Sequence, residues 1–373
     1  MKVPLFKIYH DECDIKNLDT EINSGSSWAV GPKVEEFEEE IANYTGSKYA
    51  AVLNSGTSAL HANLLACEIA KNDEVIVPSF TFIATANAPL FVGAKPVFAD
   101  IEKDTFGLDP KSVEEKITEN TKAIIPIHYG GCPCKIKELK EIAEDNDLIL
   151  IEDAAESFGA SINGKMTGTF GDSGILSFCQ NKVITTGEGG ALITDSKDLY
   201  EKIVLIRSHG RLESEDYFNS VGYFDYISLG FNWRMSNLTA ALGLAQIEKV
   251  DKIIEMRIEN SRYLTKRLKE ETDEIEIFTP PKGYKHVYQL YCLLANSRDD
   301  LIDYLSEKGI SSKIYFDPVH LSNFYAQKLK YNCELPITEE VAKKTLTLPM
   351  FPSITTEEMD YIASTIGKFY NDG

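Results

Sequence analysis

The residues of this sequence that are best placed to do chemistry lie between Gly174 and Asp195. The stretch reads GILSFCQNKVITTGEGGALITD and carries a short apolar run at each end. Two such runs bounded by glycines predict two strands joined by a tight connection, and that connection holds Lys182. A lysine amine partly removed from water is available as a nucleophile for aldehydes, as a pyridoxal-phosphate enzyme requires. In isolation, a surface lysine in a glycine-rich hairpin is the simpler interpretation.

Asp153 is the second residue that points to this chemistry. It follows the apolar run Leu148–Ile151, which is typical of a strand buried on both faces of a parallel sheet. A carboxylate at the end of a buried strand requires a positive partner. A protonated pyridine nitrogen would be such a partner, and holding its proton makes the ring an electron sink. An N-cap or an ion pair is the alternative for Asp153 on its own.

Two more stretches could hold the phosphate and the ring of such a cofactor. NSGTSAL at Asn54–Leu60 lies between a short apolar run and a helical pattern, so that its N–H groups and hydroxyls face an anion. A plain N-cap by Ser55 or Thr57 explains that stretch equally well. Phe82 lies just beyond a predicted strand, where ligands of open α/β sheets bind. It could stack on a flat heteroaromatic ring or lie in the core.

These residues need a sheet to position them, and the apolar runs supply one. We predict an α/β fold with a seven-stranded, mostly parallel sheet and interleaved helices. The strands are predicted to start at Tyr49, Glu74, Pro96, Ala123, Leu148, Gly174 and Gly189.

The 373 residues suggest two or three domains, given about 150 residues per domain, and the change of pattern along the chain favours two. Residues 1–250 form the predicted large domain, whose first thirty residues look irregular and whose N-terminal segment could pack on the second domain. Residues 251–373 form a small α+β domain, which the chain reaches through one long helix from Leu238 past Arg257. The predicted elements of this domain are strands at Val287–Leu294, Ser311–Tyr315 and Thr345–Leu348 and helices at Asp299–Lys308 and Thr356–Tyr370.

Composition excludes several classes of partner. A net charge of −20 disfavours nucleic acids and anionic membranes, which are polyanions. No apolar run is long enough to cross a bilayer. Seven scattered cysteines and a start without a signal-peptide pattern indicate a reducing cytoplasm. Cys132 and Cys134 form a lone C-x-C, so we expect no metal site.

Five stretches, in order, resemble the DegT/DnrJ/EryC1/StrS sugar aminotransferases, which have the fold type I pyridoxal-phosphate architecture. A late LPMFP at Leu348–Pro352 also fits, and the resemblance covers nearly the whole chain. The five stretches are NSGTSAL at Asn54–Leu60, PSFTFIATANA at Pro78–Ala88, EDAAESFGA at Glu152–Ala160, SFCQNKVITTGEGG at Ser177–Gly190 and GFNWRMSNLTAALGLAQ at Gly230–Gln246.

The resemblance implies a role for each matching position. Lys182 would bind the cofactor aldehyde and carry protons, Asp153 would pair with the pyridine nitrogen, and Phe82 would stack on the ring. Glu156 would lie beside the ring hydroxyl. The phosphate would be held by Gly56, Thr57, Ser58 and Ser177, together with Asn232 of the other subunit of a homodimer. Arg234 and His320 are candidates for binding the sugar nucleotide, with a role in packing or in a surface pair as the equal alternative. Lys313 is a further positively charged candidate for binding its diphosphate.

The resemblance also implies a reaction. The expected substrates are a nucleotide-linked 4-keto-6-deoxyhexose and glutamate. The cofactor would alternate between pyridoxal 5'-phosphate and pyridoxamine 5'-phosphate. The amino sugar produced would be a precursor of a polysaccharide. Relatives acting at C3 tend to show proline before the lysine, where this chain has Asn181. Amination of a 3-keto sugar remains the first alternative. A dehydratase is less favoured, because dehydrating relatives replace the lysine with histidine. A lyase such as a desulfurase is also less favoured, because a desulfurase needs a mobile reactive cysteine and only Cys179, on the predicted strand before Lys182, is close in sequence. A non-enzymatic regulator is disfavoured by the absence of a basic helix.

Overall fold

A seven-stranded sheet forms the centre of the chain in the computed structural model, which describes residues 1–211 and 225–371. Its strand order is β1-β9-β8-β5-β4-β2-β3, and β9 is the strand that runs antiparallel to both of its neighbours. The remaining neighbours pair in parallel. The strands of this sheet are β1 (Tyr49–Leu53), β2 (Glu74–Pro78), β3 (Lys95–Ala99), β4 (Thr121–Ile124), β5 (Ile149–Asp153), β8 (Ser173–Ser177) and β9 (Gly190–Thr194).

Other strands form two three-stranded sheets, β11-β6-β7 and β10-β12-β13. Their bounds are β6 (Ser161–Ile162), β7 (Lys165–Met166), β10 (Ile275–Ile277), β11 (Tyr284–Lys285), β12 (Tyr291–Ala295) and β13 (Thr345–Leu348).

Helices cover both faces of the central sheet. In chain order they are α1 (Glu12–Ser24), α2 (Pro32–Thr45), α3 (Gly56–Ala66), α4 (Ile83–Phe91), α5 (Pro110–Lys116), α6 (Ile136–Asp145), α7 (Lys197–Arg207), α8 (Asn237–Ile247), α9 (Val250–Glu271), α10 (Arg298–Glu307), α11 (Pro336–Lys344) and α12 (Thr356–Asn371). None of the helices in the described ranges is long and apolar enough to cross a membrane.

The strands of the central sheet bury both of their faces, as their near-continuous apolar runs predict. In β1, Ala51 and Leu53 pack against α3 and α7, whereas Ala50 and Val52 face the opposite core with α2 and α8. The predicted α/β fold with a seven-stranded, mostly parallel sheet is confirmed, and each observed strand start lies within two residues of its prediction.

A separate core lies between α9, α10, α12 and the β10-β12-β13 sheet. The N-terminal segment joins this core through Val3, whose backbone pairs with the chain at Gly309 and Ser311. The first residues of the chain therefore lie beside its last elements.

Three local predictions were wrong. The first thirty residues contain α1, which begins with a reciprocal capping box between Asp11 and Asp14. The helix predicted from Leu238 past Arg257 is interrupted after α8, where the Lys249 ammonium contacts Asp11 and Asp14. Residues 311–315 contribute one bridge, Lys313 to Thr347, rather than a strand.

Candidate active site

Lys182 lies in the connection between the antiparallel strands β8 and β9. The carbonyl of Phe178 accepts hydrogen bonds from the Thr186 amide at 2.9 Å and from the Thr185 hydroxyl at 3.1 Å. The Lys182 amide donates to the Cys179 carbonyl at 3.0 Å. The residues next to it, Val183 and Ile184, are buried in the core. These contacts hold the connection in one conformation, so the lysine is presented on a fixed backbone.

Asp153 ends β5 and is buried, with 8 % of its surface exposed. Its Oδ2 accepts a hydrogen bond from the Thr85 hydroxyl at 2.7 Å, and its Oδ1 accepts one from the Ala155 amide at 3.2 Å. Burial raises the pKa of the Asp153 carboxyl, while these hydrogen bonds and the charge of Lys182 lower it. No cation lies within ion-pair distance of this carboxylate in the part of the chain that the structure describes.

Glu156 links the lysine to a neighbouring loop. One carboxylate oxygen lies 3.4 Å from Lys182 Nζ, and the other accepts a hydrogen bond from the Gly130 amide at 2.9 Å. Both side chains are mostly buried, with 15 % of the Lys182 side chain and 12 % of the Glu156 side chain exposed. Glu156 therefore restrains the position of the amine.

An anion cradle forms where β1 meets α3. Ser55 is the N-cap of α3, and its hydroxyl accepts from the Ser58 amide at 3.1 Å. A Cβ added to Gly56 would lie 3.3 Å from Ser177 Cβ and 3.6 Å from Ser177 Oγ, so the α3 N-terminus and that hydroxyl converge. A helix N-terminus with a nearby hydroxyl suits a phosphate.

Phe82 caps α4 and is 59 % exposed, although it lies among buried residues. Its ring centroid is 6.2 Å from that of Phe316. The exposed ring offers a flat apolar surface within reach of a bound ligand.

These side chains line one cavity of about 500 Å³. Of the residues predicted from the sequence, the structure brings together Gly56, Thr57, Phe82, Asp153, Glu156, Ser177, Lys182 and Lys313.

Four predicted residues are not part of the cavity lining, and the first two are Ser58 and His320. Ser58 directs its hydroxyl to Asn54 Oδ1 at 2.7 Å and acts in the helix cap. His320 is buried outside the cavity, with Nδ1 2.6 Å from the Ser79 hydroxyl and Nε2 3.6 Å from Glu339. Burial lowers the pKa of the His320 imidazole. In this conformation His320 joins the chain around residue 320 to the end of β2.

Asn232 and Arg234 also lie away from this cavity. Asn232 is exposed and pairs through its backbone with Ser208, while Arg234 Nη1 donates to the Ser208 hydroxyl at 3.3 Å. Arg234 lines a surface cavity of about 390 Å³ together with His209 and Arg211.

Sequence reasoning missed other residues at the site. Ser55 lines the cavity directly, and Thr85 contacts Asp153. Gln289 donates to the Asn181 carbonyl at 2.6 Å and so supports the lysine connection from the C-terminal part of the chain. Phe6 reaches the cavity from the N-terminal segment. The helical spacing of Thr81 and Thr85 was a usable signal, but nothing local marks Phe6 or Gln289.

The lining residues fit pyridoxal phosphate. The cavity carries an anion cradle at one wall, an exposed aromatic ring at another, and a buried carboxylate that lacks a cationic partner within the described residues. A positively charged ring nitrogen would supply that partner, and Lys182 is within the same cavity.

Comparison with known proteins identifies the family. The model of the DegT/DnrJ/EryC1/StrS aminotransferase family matches residues 9–367. The chain belongs to this family. The expected enzyme class, a pyridoxal-phosphate-dependent sugar aminotransferase, is thereby confirmed.

Individual relatives of this aminotransferase differ in their named sugars. This chain is 36% identical to GDP-perosamine synthase of Escherichia coli O157:H7, over 93% of each chain. It is 34% identical to the UDP-N-acetyl-3-dehydro-alpha-D-glucosamine 3-aminotransferase of Acidithiobacillus ferrooxidans, over 92% of this chain and 90% of that protein.

A solved structure of similar fold is the putative sugar aminotransferase Spr1654 from Streptococcus pneumoniae. Its PMP-form covers 100% of this chain and 98% of its own, with a TM-score of 0.93 and 25% identity. The same protein is also known in a PLP-form.

Proposed function

We propose that this aminotransferase converts a nucleotide-linked 4-keto-6-deoxyhexose to the 4-amino sugar, with glutamate as amino donor, for polysaccharide precursors. The observation that carries the proposal is the meeting of Lys182, Asp153, Glu156 and Phe82 around one cavity with an anion cradle. The family resemblance supports glutamate as the amino donor. All seven cysteines are free thiols, which fits an enzyme that works in the reducing cytoplasm.

Each residue has a defined task in this proposal. When bound, pyridoxal phosphate supplies an aldehyde carbon that exchanges the amino group and a ring that accepts electrons. Asp153 holds the proton on the ring nitrogen, and Phe82 covers one ring face. Gly56, Thr57 and Ser177 hold the phosphate, with Ser55 at the head of the same helix.

Lys182 is the proton carrier. In the donor half of the cycle, its Nζ would move a proton from the donor carbon that bears the amino group to the cofactor carbon that takes up the amine. In the sugar half, it would move a proton from that cofactor carbon to the sugar carbon. Glu156, 3.4 Å from Nζ, would restrain the amine inside the cavity between these steps. Lys313, which lines the outer cavity with Nζ 4.6 Å above the Tyr315 ring, is a donor for a sugar or diphosphate oxygen.

The active unit in this proposal is a homodimer. Asn232 and Leu229 belong to a turn that does not line the cavity of its own chain, and Leu229 is 83 % exposed. An exposed apolar residue beside exposed Asn232 suits an interface with a second copy, from which Asn232 would reach the phosphate of the partner's site.

A product analysis tests the position of amination. Glutamate and equal amounts of a 3-keto and a 4-keto sugar nucleotide are incubated with the enzyme, and NMR locates the new amine. Nitrogen at C4 is expected from the Asn181-Lys182 pair, which lacks the proline of C3 enzymes. Nitrogen at C3 would overturn the assignment and favour the second candidate, amination of a 3-keto sugar, which the 34% identity to a 3-aminotransferase supports.

A further inference from the structure

Thr85 is a buried threonine in the first turn of α4, and its hydroxyl bonds outside its own helix. Its Oγ1 donates to Asp153 Oδ2 at 2.7 Å, 68 residues away in sequence. Thr338, in the first turn of α11, likewise donates to a distant carboxylate, Asp100 Oδ1, at 2.7 Å. The Thr45 and Thr365 hydroxyls, which lie farther along their helices, return to carbonyls four residues earlier, at 2.8 Å and 2.6 Å. That local bond is the usual arrangement for a helical threonine. Thr85, which is 1 % exposed, instead directs its hydroxyl at the buried carboxylate of the site.

Thr81 extends this contact and fixes its direction. The hydroxyls of Thr81 and Thr85 are 2.8 Å apart, and both threonines line the cavity. A hydroxyl carries one hydrogen, and an ionised carboxylate only accepts. The hydrogen of Thr85 is therefore directed at Asp153, so Thr81 must donate to Thr85. A chain of donors running one way polarises each member and strengthens the final bond.

The contact decides how the Asp153 carboxylate is held. Oδ2 is bound by Thr85 and Oδ1 by the Ala155 amide at 3.2 Å, so rotation of the carboxylate would break both bonds. Each oxygen accepts one of these bonds and keeps a second lone pair, so the held carboxylate can still accept a strong donor. Burial raises the pKa of Asp153, and the Thr85 bond opposes that effect and favours the charged form.

We propose that Thr85, supported by Thr81, is a positioning residue that keeps the Asp153 carboxylate oriented and charged toward the ring nitrogen of the cofactor. The inference rests on the proposed function, in which Asp153 faces that nitrogen. It concerns a residue that touches Asp153 rather than the reacting atoms. Its consequence is that the Thr85 hydroxyl strengthens cofactor binding only when the ring contains the nitrogen.

Cofactor binding to the enzyme freed of cofactor provides the test. The dissociation constant of pyridoxamine phosphate is measured for the wild type, Thr85→Val, Thr85→Ser and the control Thr365→Val, which removes a helical threonine hydroxyl in α12. Thr85→Val should weaken binding about tenfold or more, since a hydrogen bond to a charged group is lost. Thr85→Ser keeps the hydroxyl and should stay within about threefold of wild type, as should Thr365→Val.

A deaza analogue of the cofactor, with carbon in place of the ring nitrogen, separates positioning from packing. The wild type and Thr85→Val should bind this analogue equally, because it has nothing for Asp153 to hold. Unchanged affinity of Thr85→Val for pyridoxamine phosphate, or an equal loss for the analogue, would overturn the proposal. If Thr85→Val does not fold, Thr81→Val replaces it and should weaken binding of pyridoxamine phosphate more than Thr365→Val does, with no loss for the analogue.

Different results would refute the proposed sugar-nucleotide substrate and the proposed role of Thr85. If sugar nucleotides are not aminated but the nitrogen-dependent loss in Thr85→Val is present, the substrate assignment is wrong and the role of Thr85 stands. If sugars are aminated and the loss is absent, the positioning role is wrong and the sugar assignment stands.

Discussion

Asp153 is the residue where function and stability oppose each other most directly. The carboxylate is buried at the end of β5, and its described partners are hydrogen-bond donors rather than cations. A buried charge without a cation costs free energy in the cofactor-free protein. The ring nitrogen of the cofactor would offset this cost, so the residue that binds the cofactor also makes the empty site less stable.

Replacement of Asp153 by asparagine should separate these effects. Burial raises the folded-state pKa of Asp153 above its unfolded value. The favourable contribution of the neutral carboxyl is therefore complete below the unfolded pKa and is lost as the pH rises through the folded pKa. Asp153→Asn does not titrate, so the cofactor-free variant should melt at a higher temperature than wild type at pH 8, with the difference shrinking toward pH 4.

The same variant should lose function. Pyridoxal phosphate should stabilise Asp153→Asn less than wild type, and turnover should fall by about a hundredfold or more, as when a preorganised charge is removed. Thermal unfolding from pH 4 to pH 8, with and without cofactor, measures the stability of each protein and its stabilisation by the cofactor, and an aminotransferase assay measures turnover. Identical melting temperatures of the two cofactor-free proteins at pH 8 would show that the buried Asp153 carboxylate does not destabilise the empty protein.

Among the elements, the crossing of β9 over the start of α3 determines the shape of the anion cradle. A Cβ added to Gly190 would lie 2.4 Å from the Gly56 nitrogen and 2.4 Å from the Ser55 carbonyl carbon. Both are backbone atoms, which cannot rotate away. Only glycine at position 190 therefore lets the helix N-terminus approach β9 this closely.

Gly190→Ala should push the α3 N-terminus away and weaken phosphate binding. We expect a cost of about 1–3 kcal/mol in the free energy of unfolding, together with a loss of cofactor affinity. Gly243→Ala is the control, because its Cβ would meet the Phe37 ring at 2.5 Å in the α2–α8 packing. Urea unfolding and cofactor titration of both variants are compared. Equal cofactor affinity in the two variants would contradict the role given to Gly190.

The sequence predicts those elements and site residues whose positions depend on a local pattern of residues. The short apolar runs placed every strand of the central sheet, because strands buried on both faces leave a continuous signal. The Lys182 connection and Asp153 could be predicted because both lie next to such strands. Phe6 and Gln289 could not, since they reach the cavity through packing of distant segments. The break between α8 and α9 depends on Lys249 meeting Asp11 and Asp14, a contact that no local pattern records.

For the whole molecule, the central proposal is that two copies share their sites. Leu229 is 83 % exposed and Trp28 is 50 % exposed, and surfaces of this kind commonly mark interfaces. A net charge of −20 does not prevent association, because charges are screened within about 10 Å at about 0.1 M salt.

Mixed subunits test this sharing. Lys182→Ala and Asn232→Ala should each be inactive, and after exchange of subunits the mixture should recover activity. Random exchange gives one intact site in half of the dimers, so about a quarter of wild-type activity is expected. Labelled subunits verify the exchange by mass spectrometry. No recovery after verified exchange, or full activity of a verified monomer, would exclude a shared site.

The most direct test of the whole account follows one nitrogen atom. Wild type and Lys182→Ala, both loaded with pyridoxal phosphate, receive [¹⁵N]glutamate and a 4-keto-6-deoxy sugar nucleotide, and mass spectrometry detects the label in the sugar. The wild type should transfer ¹⁵N to the sugar over many turnovers. Lys182→Ala should still bind the cofactor but transfer no label within the same period. Label transfer by Lys182→Ala at a near-normal rate, or an unlabelled sugar with wild type, would contradict the account.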